Sequence, residues 1–558
     1  MRHSSALLAL LALLTLLATP ATAQAPLSAI DWLGGGNAAA GTDLPGKTDG
    51  THRAGRSRDP EFRPGTDPRG APDALHRSVP KGDAGAGTAA GSVPSLIAPP
   101  EITVQPIGEA RPDGAGLIPP DRAGLPADPW HGSRMADVAR ALAKLPADSL
   151  PALRALAHTL LLTEAAPPAD AAPGAFLALR LDELRRMGLV EAALALAERA
   201  GAESPPLLAR QLDLALLTGT EGPICGRIAA APWLSPDPAT RIFCLARTGD
   251  WQAAALIHRG AAALNLLPPR QRTLLAAFLD PASPDASPLP QPPAPAAMTP
   301  LVFRLYEAAG APLPTRALPR AFAVADLRGN SGWKAELEAA ERLARVGALS
   351  GLRLLGLYTA RQPAASGGVW RRVEMVQKLD SALRDGDTAA LDALLPAYWR
   401  TAKAQGLAEV WARMLAGRLA GRQPGGPAAC AALEMALLTP EYESAARRVV
   451  PRDAAAGVLV SVALGRPRDL APAGPPEGLR AALRAGFDRA PPDAAGRRLL
   501  AQGRVGEALL NAARRLHRAN RRDGDDITTA LRLFRAAGQE DLARRAALQL
   551  LILAPREG

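Results

Sequence analysis

The chain has 558 residues, with 65 Lys plus Arg against 54 Asp plus Glu, a formal net charge of +11, and an aromatic content of only 4%. Few aromatics and few β-branched runs, in a chain dominated by Ala, Leu and Arg, argue against a sheet protein. The basic balance assigns no partner by itself: lysine occurs at six positions and arginine supplies the other 59 basic residues, the bias that GC-rich coding produces.

Residues 1–23 read as a secretory signal peptide, with Arg2 and His3 ahead of an apolar run over 6–18 and Ala21, Thr22 and Ala23 before Gln24. Such a run is too short to span a bilayer and suits a cleaved leader. No Cys follows the cleavage site for lipid attachment, and the longest later apolar run, 454–465, is broken by Ser461. The expected location is periplasmic or secreted, with no transmembrane segment after cleavage and conditions in which disulfides persist.

Residues 24–100 are rich in Gly, Ala, Pro, Asp and Arg without an apolar period, and are expected to form a disordered arm. Leu27, Ile30, Trp32 and Leu33 make an apolar island near its start, read either as residual hydrophobicity after the signal or as a linear motif that docks on a partner or on the chain itself. Residues 101–133 are expected to form an extended strap across the first helices, with a short strand at 102–107 and Leu117, Ile118, Leu125 and Trp130 as anchors.

Apolar residues at three- and four-residue spacing then predict helices at 135–145, 149–162, 176–187, 190–199 and 207–217 within a first helical block, 134–280. In the stretch 225–255, a helix ending before Pro232 and a second one capped by Ser235 would form a hairpin. Cys225 and Cys244 lie nearly symmetrically about its turn, so they face each other and suit a disulfide; the competing reading is three unpaired core cysteines. Gly249 closes the second helix and Asp250 caps the next. Eight prolines in 281–300 mark a linker. A second helical block, 301–558, follows with helices at 301–309, 333–346, 352–359, 369–383, 389–405 and 408–419 and further ones to 553. Cys430, within AACAALEMALL, is expected to be a buried free thiol.

Glycine turns followed by Ala-rich helix starts recur at Gly188, Gly249, Gly386, Gly406, Gly503 and Gly538. Each hairpin would expose an apolar face unless it stacked on a neighbour, so the predicted fold is all-α: a right-handed α-solenoid of antiparallel hairpins, tetratricopeptide-like but degenerate. The phrase GDWQAA after RIFCLAR, with SAIDWL and GLIPPDRAGLPADPW, resembles exported helical-repeat proteins of GC-rich alphaproteobacteria. That resemblance covers the chain in pieces and names no activity. The full tetratricopeptide pattern is missing, so no ligand residues carry over from it.

Catalytic motifs are scarce. GTDLPGKT at 41–48 fits the phosphate-loop spacing but lacks the strand before it and the helix after it. Ser331 and Lys334, and likewise Ser78 and Lys81, fit SxxK without its companion motifs, and Ser331 reads as a helix N-cap. The seven histidines show no metal-ligand spacing. Glu443-Ser444 resembles the opening of a lytic transglycosylase site, without the aromatic two places on. No catalytic, cofactor or metal residues are therefore assigned. From Glu441 onward, 21 Arg face 14 Asp plus Glu, most densely at Arg514, Arg515, Arg518, Arg521 and Arg522. This is either a solvated helix end or a patch for acidic envelope partners such as anionic lipid or lipopolysaccharide. Nucleic acid is not expected, because aromatics do not interleave with the arginines. The functional expectation is a non-catalytic cell-envelope scaffold or adaptor that binds a protein or peptide; the alternative is a degenerate peptidoglycan-active enzyme.

Overall fold

Local sequence signals, turn glycines and capping aspartates among them, mark several of the helix ends. The computed structural model describes residues 112–201, 203–282, 288–466, 477–519 and 523–553, and the side chain of Glu477 is not included. The signal peptide, the arm with Leu27, Ile30, Trp32 and Leu33, the expected strand at 102–107, both glycine-rich and SxxK matches before residue 82, and Arg521 and Arg522 lie outside the described residues. Among the described residues the protein is all-helical, and the only bridge recorded is an isolated parallel one between Ile118 and Thr163. No described helix is long and apolar enough to cross a membrane.

The six recurrent glycines all adopt the left-handed conformation, with φ of 91° at Gly188, 95° at Gly249, 72° at Gly386, 66° at Gly406, 73° at Gly503 and 78° at Gly538. Without a Cβ this costs little, and it lets the chain reverse after each helix. Asp250 accepts from the Ala253 amide and Asp387 from the Ala390 amide, so turn and cap together start the next helix. Two expected caps are corrected. The helix Pro238–Arg247 is capped by Asp237, which accepts from the Ala239 and Thr240 amides, and Ser235 precedes it in extended backbone. The Ser331 hydroxyl donates to Asp326 at 2.9 Å, while Gly332 holds the N-cap position of Trp333–Ala344.

Consecutive helices stack, as in Ala175–Met187 on Val190–Ala200, Val190–Ala200 on Pro205–Thr218, and Val505–Ala519 on Gly524–Ala536. Leucine and alanine at helical spacing bury one face of each, forming a cluster that runs from Leu125 to Ile552. A second cluster between Leu208 and Tyr306 holds the cysteine hairpin. The described part of the proline-rich stretch lies against it, with Leu289 packed there and the Tyr306 hydroxyl donating to the Pro290 carbonyl at 2.6 Å.

The first helices also meet the last. Pro151–Leu162 packs on Glu540–Ile552, and Met135–Ala143 packs on Val505–Ala519. The Ala152 amide, an otherwise orphan donor in the first turn, donates to the buried Gln549 side chain at 2.7 Å. Trp130 is buried against Gly506, whose amide donates to the Pro129 carbonyl at 2.7 Å. A stacked array ordinarily needs polar capping repeats at both ends. Here the two ends cover each other.

Residues 112–133 contribute an internal clamp. Asp113 caps Ala175–Met187 by accepting from the Gly174 and Leu177 amides at 2.6 and 2.7 Å. Arg180, fully buried, donates to the carbonyls of Leu161 at 2.6 Å, Ala115 at 2.5 Å, Thr163 at 3.1 Å and Asp113 at 3.3 Å. Burial lowers its pKa to about 10, an effect that nearby Asp113 opposes.

Candidate functional site

Cys225, on Gly222–Ala230, and Cys244, on Pro238–Arg247, form a disulfide with a Cα–Cα distance of 4.5 Å. The hairpin is held at its base by Glu221, fully buried, whose Oε1 lies 3.1 Å from both the Arg247 and the Arg304 guanidinium. Closing a loop of this length stabilises the fold by about 3 kcal/mol on the chain-entropy account. Thiol titration of the denatured, unreduced protein is expected to count one thiol, Cys430; three would refute the bond. Cys430 itself is a correction, because it is exposed. Its helix, Gly426–Leu437, buries Ala428, Ala431 and Met435, a stripe three and four residues apart that leaves position 430 on the other side. Alanines on both faces conceal that stripe in the sequence.

The helix that follows the cysteine hairpin, Trp251–Ala263, buries only Ala254 and Ala261. On it and just after it, Leu256 is 64% exposed, Leu264 70%, Leu266 58% and Trp251 48%, and Trp233, in the turn of the hairpin, is 71% exposed. Trp251 leans on Phe278 at 5.6 Å between ring centroids, and Phe278 stacks on Phe243 at 5.4 Å, so the exposed rim continues into the disulfide-bonded core. Isolated exposed leucines are ordinary on soluble proteins; here five large apolar groups are exposed between residues 233 and 266. The GDWQAA phrase places Trp251 in sequence without revealing that its helix turns so little of itself inward.

A second feature lies where the ends of the array meet. A cavity of about 550 Å³ is lined by residues from four separate stretches, among them Arg154 and Leu150, Lys403 and Glu409, Leu516, and Leu553. Arg154 is 8% exposed and donates through Nη1 to the Ser149 carbonyl. Burial lowers its pKa to about 10, with Glu409 and Asp148 raising it and Arg320 lowering it further. No ion pair of Arg154 is recorded among the described residues: the Glu409 carboxylate pairs with Arg413, and Lys403 with Glu434 at 2.7 Å. The Ser149 hydroxyl is buried without a hydrogen-bond partner. His158, on the same helix as Arg154, is held neutral by burial and by that guanidinium, with its pKa lowered to about 3.

The arginine patch is partly satisfied from within. Arg514 donates to Asn511 at 2.9 Å, Arg515 pairs with Asp493 at 3.1 Å and Asp526 at 3.5 Å, and Arg518 lies 3.7 Å from Asp526. Arg518 also borders the cavity. Glu443 pairs with Arg447 and, at 3.4 Å, with Arg544. The Arg447 hydrogen bond holds its carboxyl below the usual range, the opposite of what a general acid needs. Among the described residues no group of three or more His, Cys, Asp or Glu side chains could hold a metal ion. No family model, no curated protein and no solved structure matches the chain.

Proposed function

We propose that the protein is a non-catalytic scaffold or adaptor of the cell envelope, exported by the leader at 1–23 and built as a right-handed, tetratricopeptide-like solenoid that binds a protein or peptide partner. The observation that carries this reading is the set of exposed apolar side chains on the disulfide-bonded hairpin and the helix after it, with Trp233, Leu256, Leu264 and Leu266 all more than half exposed. Desolvating such groups against a partner contributes about 1.5–3 kcal/mol for each one fully covered. The hairpin beneath is fixed by the disulfide and by the Glu221 ion pairs, so the rim is presented with little ordering cost on binding. The arginines after residue 440 favour an acidic partner or an anionic lipid or lipopolysaccharide surface at close range, a contribution that salt would screen.

Affinity capture from an envelope extract with wild type and with the triple variant Trp233→Ser, Leu264→Ser, Leu266→Ser tests the reading. The wild type is expected to retain a specific partner and the variant to lose it by tenfold or more while keeping its melting temperature. Equal capture by both proteins would remove the rim from the function.

A further inference from the structure

We infer that the cavity at the closure of the array is a binding site for a small amphiphilic monocarboxylate, with the carboxylate on Arg154 and an apolar body against Leu150, Leu516, Leu550 and Leu553. Three observations converge on this chemistry. Arg154 is more than nine-tenths buried, lines the cavity, and has one hydrogen bond and no recorded ion pair among the described residues. A guanidinium offers five donors in a planar fork that matches a carboxylate, and this desolvated charge, on which Glu409 and Asp148 act without a recorded ion pair, lacks a directly bonded counter-ion among the described residues. An incoming carboxylate supplies that counter-ion.

The second observation is the helix Ala408–Leu419, which starts at the cavity wall with Leu407 in the N-cap position and no side-chain cap. Its partial positive charge adds to that of Arg154, against the Glu409 carboxylate in the same first turn. The third is that Leu150, Leu516, Leu550 and Leu553 give an aliphatic part to a wall that also carries Lys403 and Arg518, and that about 550 Å³ suits a ligand of roughly ten to fifteen heavy atoms with room to spare. One under-compensated guanidinium balances one negative charge, which favours a monocarboxylate over a phosphate dianion. Asp148 and Glu409 at the same wall partly offset the Arg154 charge, so the site tolerates one incoming negative charge better than two. A fatty acid and an N-acylated apolar amino acid share this chemistry.

Isothermal titration calorimetry on the full chain separates the sources. Decanoate and N-acetyl-L-leucine are the acid probes, decanol and N-acetyl-L-leucinamide are their uncharged counterparts, and inorganic phosphate is the competing anion. At least one acid is expected to bind, with its uncharged counterpart at least tenfold weaker and phosphate silent; which acid binds identifies the source. Arg154→Gln should weaken the acid at least tenfold. Because that variant changes a buried charge, Leu553→Trp provides a second test: it adds bulk at the cavity wall with Arg154 intact and should abolish binding without lowering the melting temperature. Equal binding of acids and uncharged counterparts, binding of phosphate alone, no binding by either acid at millimolar concentration, or binding indifferent to Leu553→Trp would each overturn the assignment. None of these outcomes bears on the apolar rim, whose partner is read by capture.

Discussion

Replacing Arg180 with methionine is expected to lower the unfolding free energy by about 3–5 kcal/mol, the range found when one member of a buried polar network is removed. Its guanidinium is the shared donor to four carbonyls, those of Leu161, Thr163, Ala115 and Asp113, which come from the end of one helix and from the segment before it. Methionine fills a similar volume, so the loss reports on the stranded carbonyls and not on a cavity. Arg180→Lys should fall between the two, because one ammonium cannot span four acceptors in that geometry. Urea unfolding followed by circular dichroism measures the effect, and a loss below about 1 kcal/mol would mean that water replaces the guanidinium at no cost.

Trp130→Ala should cost a similar amount, about 3–5 kcal/mol for a buried tryptophan, and its effect should appear at both ends of the chain. Trp130 is 1% exposed and lies against Gly506, where an added Cβ would come within 2.6 Å of the indole. Gly506→Val should therefore reproduce the loss from the other side of the contact. Hydrogen exchange is the decisive measurement, because opening of the closure should deprotect Met135–Ala143 and Val505–Ala519 together. Loss of protection confined to the mutated helix would show that the ends are independently stable.

Where the closure contributes, so does the cavity, since both arise from the approach of residues 148–154 to the last helix. The site inferred there shares its wall with the Pro151–Leu162 contact, so a ligand that occupies it would bind only the closed form. Mass action then raises the stability of the closure as the ligand concentration exceeds its dissociation constant.

The helical pattern was legible from the sequence because its causes are local. Apolar spacing, the glycines that end helices and the aspartates that start them act within a few residues, and the observed helices Val190–Ala200, Ala408–Leu419 and Trp333–Ala344 follow the expected ones to within two residues. The cysteine pairing was legible for the same reason, since a nineteen-residue separation spans a single hairpin. The expected cap Ser235 gave way to Asp237, because Pro238 takes the first helical position. Cys430 was misjudged because alanine is tolerated on either face, so an Ala-rich helix conceals which side it buries. Only the tertiary structure decided that Ala152 meets Gln549 and Trp130 meets Gly506, contacts across hundreds of residues that leave no period in the sequence. The same holds for the exposure of Trp233 and Leu264 and for the isolation of Arg154, because burial and charge compensation depend on which helices arrive from elsewhere in the chain.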